Sequence, residues 1–209
     1  MSYPTTASSP RNQLESVLGG LSFMIIFTAA WMIIGEVTLH GRDHWLIGVT
    51  FALIVLSFLV FYVKFYSTAK KLPKESVVGS ADEKAKSKRF TTIFIAEGVG
   101  ILVVKNVLAN TGHDNLFIPA VALIVGIHFF PLAKVFNRKF DYYMGAFVCM
   151  IAIAGFVLAG NGYPAYVTTS VISIGCAFAT SGYGIMMILK GNKILAMMAG
   201  ESPNELSDN

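Results

Sequence analysis

Apart from Lys64 and Lys134, which lie near the ends of their apolar stretches, four charged or titratable side chains interrupt the apolar stretches of this sequence: Glu36, Glu97, Lys105 and His128. An ionisable group inside a membrane costs a few kcal/mol on insertion scales, so each one needs a partner or water. Carboxylates and imidazoles are the common proton carriers of membrane interiors. The four residues therefore predict a polar intramembrane site that binds a solute or handles protons. The alternative is a buried polar clamp that fixes the register of two helices.

The spacing of the four residues indicates which of them can meet. Eight helical residues separate Glu97 from Lys105 by about 12 Å of rise, which is too far for a direct ion pair. Glu97 and His128 lie at similar depths, roughly 10 Å from the same membrane boundary, in runs joined by a short connection. We therefore expect Glu97 to pair with His128, and Glu36 to pair with Lys105 at the opposite level. Pro131, three residues after His128, would free one backbone carbonyl nearby.

Six apolar runs must position these residues. Each run is about 20 residues long, the length that a helix needs to cross a hydrocarbon core of about 30 Å. The runs are continuous rather than alternating, so they indicate helices and not the strands of a barrel. Only 13% of the chain is charged, whereas soluble domains average about 25%. The sequence predicts an all-α bundle of six transmembrane helices within residues 14–190, with spans at 16–39, 45–66, 90–109, 115–135, 142–160 and 164–189.

Lysine and arginine residues are concentrated in alternate connections between the runs. The connection at 67–89 holds seven of them, and others at the same level are Arg11, Arg138, Lys139, Lys190 and Lys193. The positive-inside rule then predicts that both termini are cytoplasmic. The net charge of +4 is explained by an anionic membrane face, so lipid headgroups at 67–89 are the expected partner and nucleic acid is not.

Few residues lie outside the spans. Residues 1–13 are polar and are predicted to form a disordered cytoplasmic segment, and residues 191–209 a cytoplasmic tail. The first run is too long for the core of a signal peptide, so we expect it to remain as a span. In the long basic connection, Ser80 begins a capping-box pattern for a helix that starts at Ala81 and continues into the third span.

Several patterns argue against other kinds of site. Cys149 and Cys176 lie inside spans and are expected to be packed thiols rather than a disulfide framework. His40 and His44 have a spacing that could hold a metal on a helix, but they lie in a connection, so neither a metal nor a cofactor is predicted. The zinc-protease, phosphate-loop and nucleophile-elbow motifs do not occur in the sequence, and an enzyme is not expected.

Small residues predict where helices pack closely. They are spaced to line one side of the fifth and sixth spans, at Gly145, Cys149, Ala152, Gly155, Ser173, Ala177, Ser181 and Gly184. The stretch Thr180-Ser181-Gly182-Tyr183-Gly184 is also similar to the potassium-channel filter. It lies in the inner half of the last span without a preceding pore helix, so we interpret Gly182 and Gly184 as packing positions.

Three segments of the sequence resemble the corresponding parts of a known kind of membrane protein. They are Ile95-Ala96-Glu97-Gly98, Gly126-Ile127-His128-Phe129-Phe130-Pro131-Leu132-Ala133 and Asp141-Tyr142-Tyr143-Met144-Gly145. Over spans three to five, the chain resembles a family of uncharacterised bacterial six-span integral membrane proteins with no assigned function. The resemblance implies a bacterial inner membrane, and it carries no site residues over to this chain.

A small transporter or channel-like protein for a solute, an ion or protons is the leading interpretation, with Glu97 and His128 at its polar site. The alternative is a non-transporting structural or stress-related membrane protein, in which the same residues only stabilise the bundle. A membrane enzyme that acts on lipid is the third. The lipid bilayer is the expected environment, and association into a homo-oligomer is left open.

Overall fold

The structure, a computed structural model, describes residues 9–73 and 81–200. These residues form six long helices and no strand: α1 (Pro10–Leu39), α2 (Leu46–Lys71), α3 (Ala81–Thr111), α4 (Phe117–Phe136), α5 (Lys139–Gly160) and α6 (Ala165–Ala199). All six helices are long and apolar enough to cross a membrane. The predicted all-α architecture with six spans is confirmed, and the chain is a multi-pass membrane protein. The cytoplasmic location of its termini stays a prediction.

Two predicted terminal segments are partly helical. Residues 10–13, expected to be disordered, form the start of α1, and residues 191–199, expected to be a tail, continue α6. Residues 1–8 and 201–209 lie outside the described residues, as does the predicted cap at Ser80. The helix that was expected to start at Ala81 does so and runs without a break to Thr111.

The described residues form two compact units. The first comprises residues 9–29, 50–73 and 180–200, and the second comprises residues 30–49 and 81–179. Helices α1, α2 and α6 therefore contribute one part to each unit, whereas α3, α4 and α5 belong to the second.

In the first unit, phenylalanines of α2 pack on glycines of α6 at a seven-residue interval. Phe51, Phe58 and Phe65 are each at most 2% exposed. A side chain added at Gly184 would overlap the Phe58 ring, and one at Gly191 would overlap the Phe65 ring. The contact advances by seven residues along both helices, so α2 and α6 run in the same direction, as alternate spans of a bundle must.

A hydrogen bond joins α1 to α6 in the same unit. The Thr28 hydroxyl donates to the Thr180 hydroxyl over 2.8 Å. Thr180 and the four residues after it lie within the continuous helix α6, so the segment does not have the extended backbone of a filter. The packing interpretation is confirmed for Gly184 and wrong for Gly182, because no neighbouring atom of the described residues lies within 4 Å of the position of a Cβ at Gly182.

In the second unit, glycines bring α4 and α5 into close contact. A Cβ at Gly126 would lie 2.6 Å from Cys149 Sγ and 2.9 Å from the Cys149 backbone nitrogen. A Cβ at Gly145 would lie 3.0 Å from the Gly126 carbonyl oxygen and 3.0 Å from Phe129 Cβ. Such close backbone approach stabilises helix pairs in membranes through van der Waals contact. The predicted packing face of the fifth span is therefore confirmed, and both cysteines are free thiols, as expected.

The turn between α1 and α2 is stabilised by Asp43. Its Oδ2 accepts a hydrogen bond from the Ile47 amide over 2.9 Å, and its Oδ1 accepts one from the Trp45 amide over 3.3 Å. Both amides lie at the start of α2, where backbone N–H groups have no partner within the helix. The turn also requires positive φ at three residues other than glycine, namely His40, His44 and Trp45.

Replacing Asp43 with alanine is expected to lower the midpoint of thermal unfolding by a few degrees, because two amides lose their acceptor. The hydrogen bond from the Ile47 amide is the main reason why the pKa of Asp43 is lowered from its usual value. A carboxyl with a lowered pKa in the folded state stabilises the fold above its unfolded-state pKa of about 3.9, and this contribution is lost as the pH falls through the folded-state pKa.

The difference in midpoint between the wild type and Asp43→Asn should therefore be constant near neutral pH and shrink below about pH 4. Circular dichroism of the detergent-solubilised proteins over a pH series measures both midpoints. A difference that is the same at every pH would contradict a role for the ionised carboxylate.

Candidate functional site

In helix α3, Glu97 lies on the one side of the helix that other residues of the protein cover. The residues of α3 that are at least partly covered recur at intervals of three and four, as expected for a helix with one contact face. They are Phe90, Ile93, Glu97, Gly100, Ile101, Val104 and Leu108. Within residues 84–111, Glu97 is the single buried residue, at 8% exposure. The centre of an otherwise apolar contact face is therefore a carboxyl group.

The structure brings Glu97 and His128 together. His128 Nδ1 lies 3.3 Å from Glu97 Oε2, and the two side chains are 15% and 7% exposed. The two atoms are within ion-pair distance but are not aligned as a hydrogen bond. A carboxyl and an imidazole at this separation can exchange one proton between them while the net charge of the pair stays the same, and can take up or release a second one.

Apolar contacts lie on both sides of the pair along α3 and α4. On one side the rings of Phe90 and Phe136 meet edge to face, with centroids 6.0 Å apart. On the other side, a Cβ at Gly100 would lie 3.7 Å from two carbons of Ile124. The two helices are therefore antiparallel neighbours, and the pair lies between two apolar contacts that limit the access of water along the helix interface.

Helix α4 packs closely on α5 at residues next to His128. Gly126 and Phe129, on either side of His128 in the sequence, both lie against α5, at Cys149 and Gly145. His128 is thus positioned between a face that contacts α5 and a face that contacts α3.

Pro131 lies within α4, three residues after His128. The helix continues through Pro131 to Phe136. Because proline has no N–H, it cannot donate to the carbonyl of Ile127, four residues earlier. The predicted spare acceptor, the carbonyl of Ile127, therefore lies one residue from His128 in the sequence.

The predicted pair of Glu36 and Lys105 does not form. Oε1 of Glu36 instead accepts a hydrogen bond from the Gly48 amide, at the start of α2. Lys105 is exposed, and it has no ion pair with any residue of the described ranges 9–73 and 81–200. Lys105 lies on the exposed side of α3, away from the contact face of that helix.

A buried ion pair that the sequence reasoning missed lies at the turn between α4 and α5. Asp141 is fully buried, and its Oδ2 lies 3.1 Å from Nε of Arg138. The guanidinium also lies over the Phe136 ring, 4.5 Å from its centroid. A signal was present in the sequence, since Asp141 lies in the first turn of α5, where an acidic side chain is favoured, and a basic residue precedes it closely. The pair stabilises this turn and is remote along the chain from Glu97.

The remaining candidate ligands do not assemble. Within the residues that the structure describes, no group of three or more His, Cys, Asp or Glu side chains is arranged to hold a metal ion. Of the four predicted site residues, only Glu97 and His128 come within ion-pair distance of each other. Comparison of the chain with known protein families, with curated proteins and with solved structures found no match.

Proposed function

We propose that this protein is a small transporter or channel-like protein that moves protons, an ion or a small solute across the bilayer. Glu97 and His128 form its polar site. The observation that carries the proposal is the position of Glu97, the one buried residue among positions 84–111 of α3, 3.3 Å from an imidazole.

The energetics favour a functional role for this pair. Every other partly covered position on α3 is apolar or glycine, so an apolar side chain at position 97 would extend the same contact face. A carboxylate there costs a few kcal/mol on membrane-insertion scales. Intramembrane carboxyl and imidazole groups are typical of proton and ion pathways, in which this cost supports transport.

A structural role is the second candidate, and the apolar contacts on both sides of the pair favour it. Between the Phe90–Phe136 and Gly100–Ile124 contacts, a polar pair could fix the register of α3 against α4. A protein of this kind would lose thermal stability on substitution of the pair, and no ion or solute would raise its stability.

Proton flux into liposomes tests the proposal. Purified protein is reconstituted with a trapped pH-sensitive dye, and a potassium diffusion potential drives protons inward. We expect faster acidification than in protein-free liposomes, with a rate that depends on external pH because the site must bind a proton to pass it on. The same assay is run with a panel of ions and small solutes. If the protein changes neither the rate of proton entry nor that of any ion or solute, transport is rejected in favour of the structural role.

The proposed location is the bacterial inner membrane, with both termini in the cytoplasm. The distribution of lysine and arginine supports this orientation. The described basic residues of the 67–89 connection are all exposed, which suits contact with anionic headgroups: Lys70, Lys71, Lys84, Lys86, Lys88 and Arg89.

A further inference from the structure

Helix α3 has a mainly apolar stripe on the side opposite Glu97. Its members recur at alternating intervals of three and four residues, the heptad spacing with which two helices pack along a common seam. They are all exposed, and they extend over about 26 Å of rise, close to the thickness of a hydrocarbon core. The α3 stripe consists of Thr92, Ile95, Val99, Leu102, Asn106 and Ala109.

Three polar side chains lie on or beside the last part of this stripe. Asn106 is a member of it, Lys105 and Asn110 flank it, and all three are exposed within the last two turns of α3. Charged side chains within a span almost always face protein or a water-filled cavity, and asparagine side chains form hydrogen bonds between membrane helices. Contact with another helix therefore suits this part of α3 better than contact with lipid tails.

The carboxamide of Asn106 is complementary to a second copy of itself. An asparagine side chain has two N–H donors and a carbonyl oxygen that accepts. One N–H of Asn106 donates to the Leu102 carbonyl over 2.8 Å, which holds the side chain along the stripe. The second N–H and the oxygen match the same two groups of an identical side chain. A single asparagine in a heptad seam fixes the register and the number of helices in coiled coils in this way.

The orientation of a membrane protein decides how two such stripes can meet. All copies insert in the same direction, so their α3 helices run parallel. A twofold axis along the membrane normal then places each residue of the stripe against the same residue of the other copy. Lys105 comes just before a seam position, and such flanking residues interact with flanking residues of the opposite helix. Its ammonium group can therefore donate to Asn110 of the partner subunit.

We propose that a second copy of this chain covers the α3 stripe, so that the protein is a parallel, symmetric dimer. Asn106 forms a hydrogen bond with Asn106 of the partner subunit at the centre of the contact, and Lys105 gains an acceptor. The stripe lies opposite Glu97, so each copy keeps its own contact between Glu97 and His128. The inference does not depend on transport.

Disulfide cross-linking in liposomes tests the proposal, in a background of Cys149→Ala and Cys176→Ala. Leu102→Cys places a thiol on the stripe, and we expect an oxidant to join two copies into a dimer that is visible on a non-reducing gel. Val107→Cys is the matched control, because the two positions are similarly exposed, at 61% and 54%, but lie about 140° apart around the helix. No cross-link at position 102, or equal cross-linking at both positions, would overturn the proposal.

The strength of the dimer tests the role of Asn106. Energy transfer between labelled copies measures dimerisation as added lipid dilutes the protein. Asn106→Leu removes the hydrogen bond, so the dissociation constant should rise by roughly 3- to 20-fold, the effect of such bonds between membrane helices. Asn106→Gln, which keeps the amide, should retain most of the affinity, and Val107→Leu, which lies off the stripe, should retain all of it. A wild type that is monomeric at every dilution, or an equally tight Asn106→Leu dimer, would contradict the proposal.

Discussion

Proteoliposomes that contain Glu97→Gln or His128→Ala are expected to show the proton flux of protein-free liposomes, while both variants still fold. Glutamine keeps the size of the Glu97 side chain but cannot bind and release a proton, and alanine removes the imidazole that lies 3.3 Å from the carboxyl. The dye-based flux assay measures the loss. In detergent, circular dichroism shows whether each variant keeps its helix content, and size-exclusion chromatography shows whether it elutes as a single species.

A matched control lies on the same helix, next to the site. Gly98 follows Glu97 and is exposed, and within residues 9–73 and 81–200 no neighbouring atom lies within 4 Å of the position of its Cβ. Gly98→Ala should therefore retain the flux of the wild type. If the two site residues act as one unit, the double variant will lose no more than either single variant. Wild-type flux in both single variants would reject the site.

That Glu97 and His128 would meet could be predicted from their positions along two neighbouring runs, but the direction of each side chain around its helix could not. Glu97 and His128 were expected to meet because they share a level on neighbouring helices, and they do. The same reasoning failed for Lys105, because eight residues rotate it by about 80° around the helix from Glu97 and away from the contact face. Glu36 found a backbone amide instead, a kind of partner that an inventory of charged side chains does not include.

The start of α1 and the end of α6 could not be predicted from hydropathy. Hydropathy measures transfer into lipid, whereas packing and hydrogen bonds decide how far a helix continues beyond it. Arg11 Nη1 donates to the Leu72 carbonyl over 2.8 Å, which holds the polar start of α1 against the end of α2. Beyond the last predicted span, Ile194 of α6 is only 3% exposed. The hydrogen bond of Arg11 and the burial of Ile194 both belong to the first unit. Neither depends on the length of an apolar run, so hydropathy does not indicate them.

Gly184→Ala is expected to lower the free energy of unfolding by about 2 kcal/mol, the middle of the usual range for adding a methyl group to a packed core. The added Cβ would overlap the Phe58 ring, and this ring is 1% exposed, so it has no open space into which it can move. Glycine would otherwise be the weaker helix former by up to about 1 kcal/mol, so the predicted change has the opposite sign to that of helix propensity. Titration with SDS in mixed micelles, followed by circular dichroism, measures the change.

Two further variants separate this steric effect from a general sensitivity of α6. Gly182→Ala lies two residues away, and no neighbouring atom of the described part of the chain is within 4 Å of its Cβ position, so this variant should be as stable as the wild type or more stable. Phe58→Leu makes the facing side chain smaller, so the double variant with Gly184→Ala should be less destabilised than the sum of the two single changes, by about 1 kcal/mol or more. Additive effects, or an equal loss in Gly182→Ala, would contradict the close contact between Phe58 and Gly184. That contact is the reason why α6 must have glycine at position 184, within a motif that resembles a channel filter but serves helix packing.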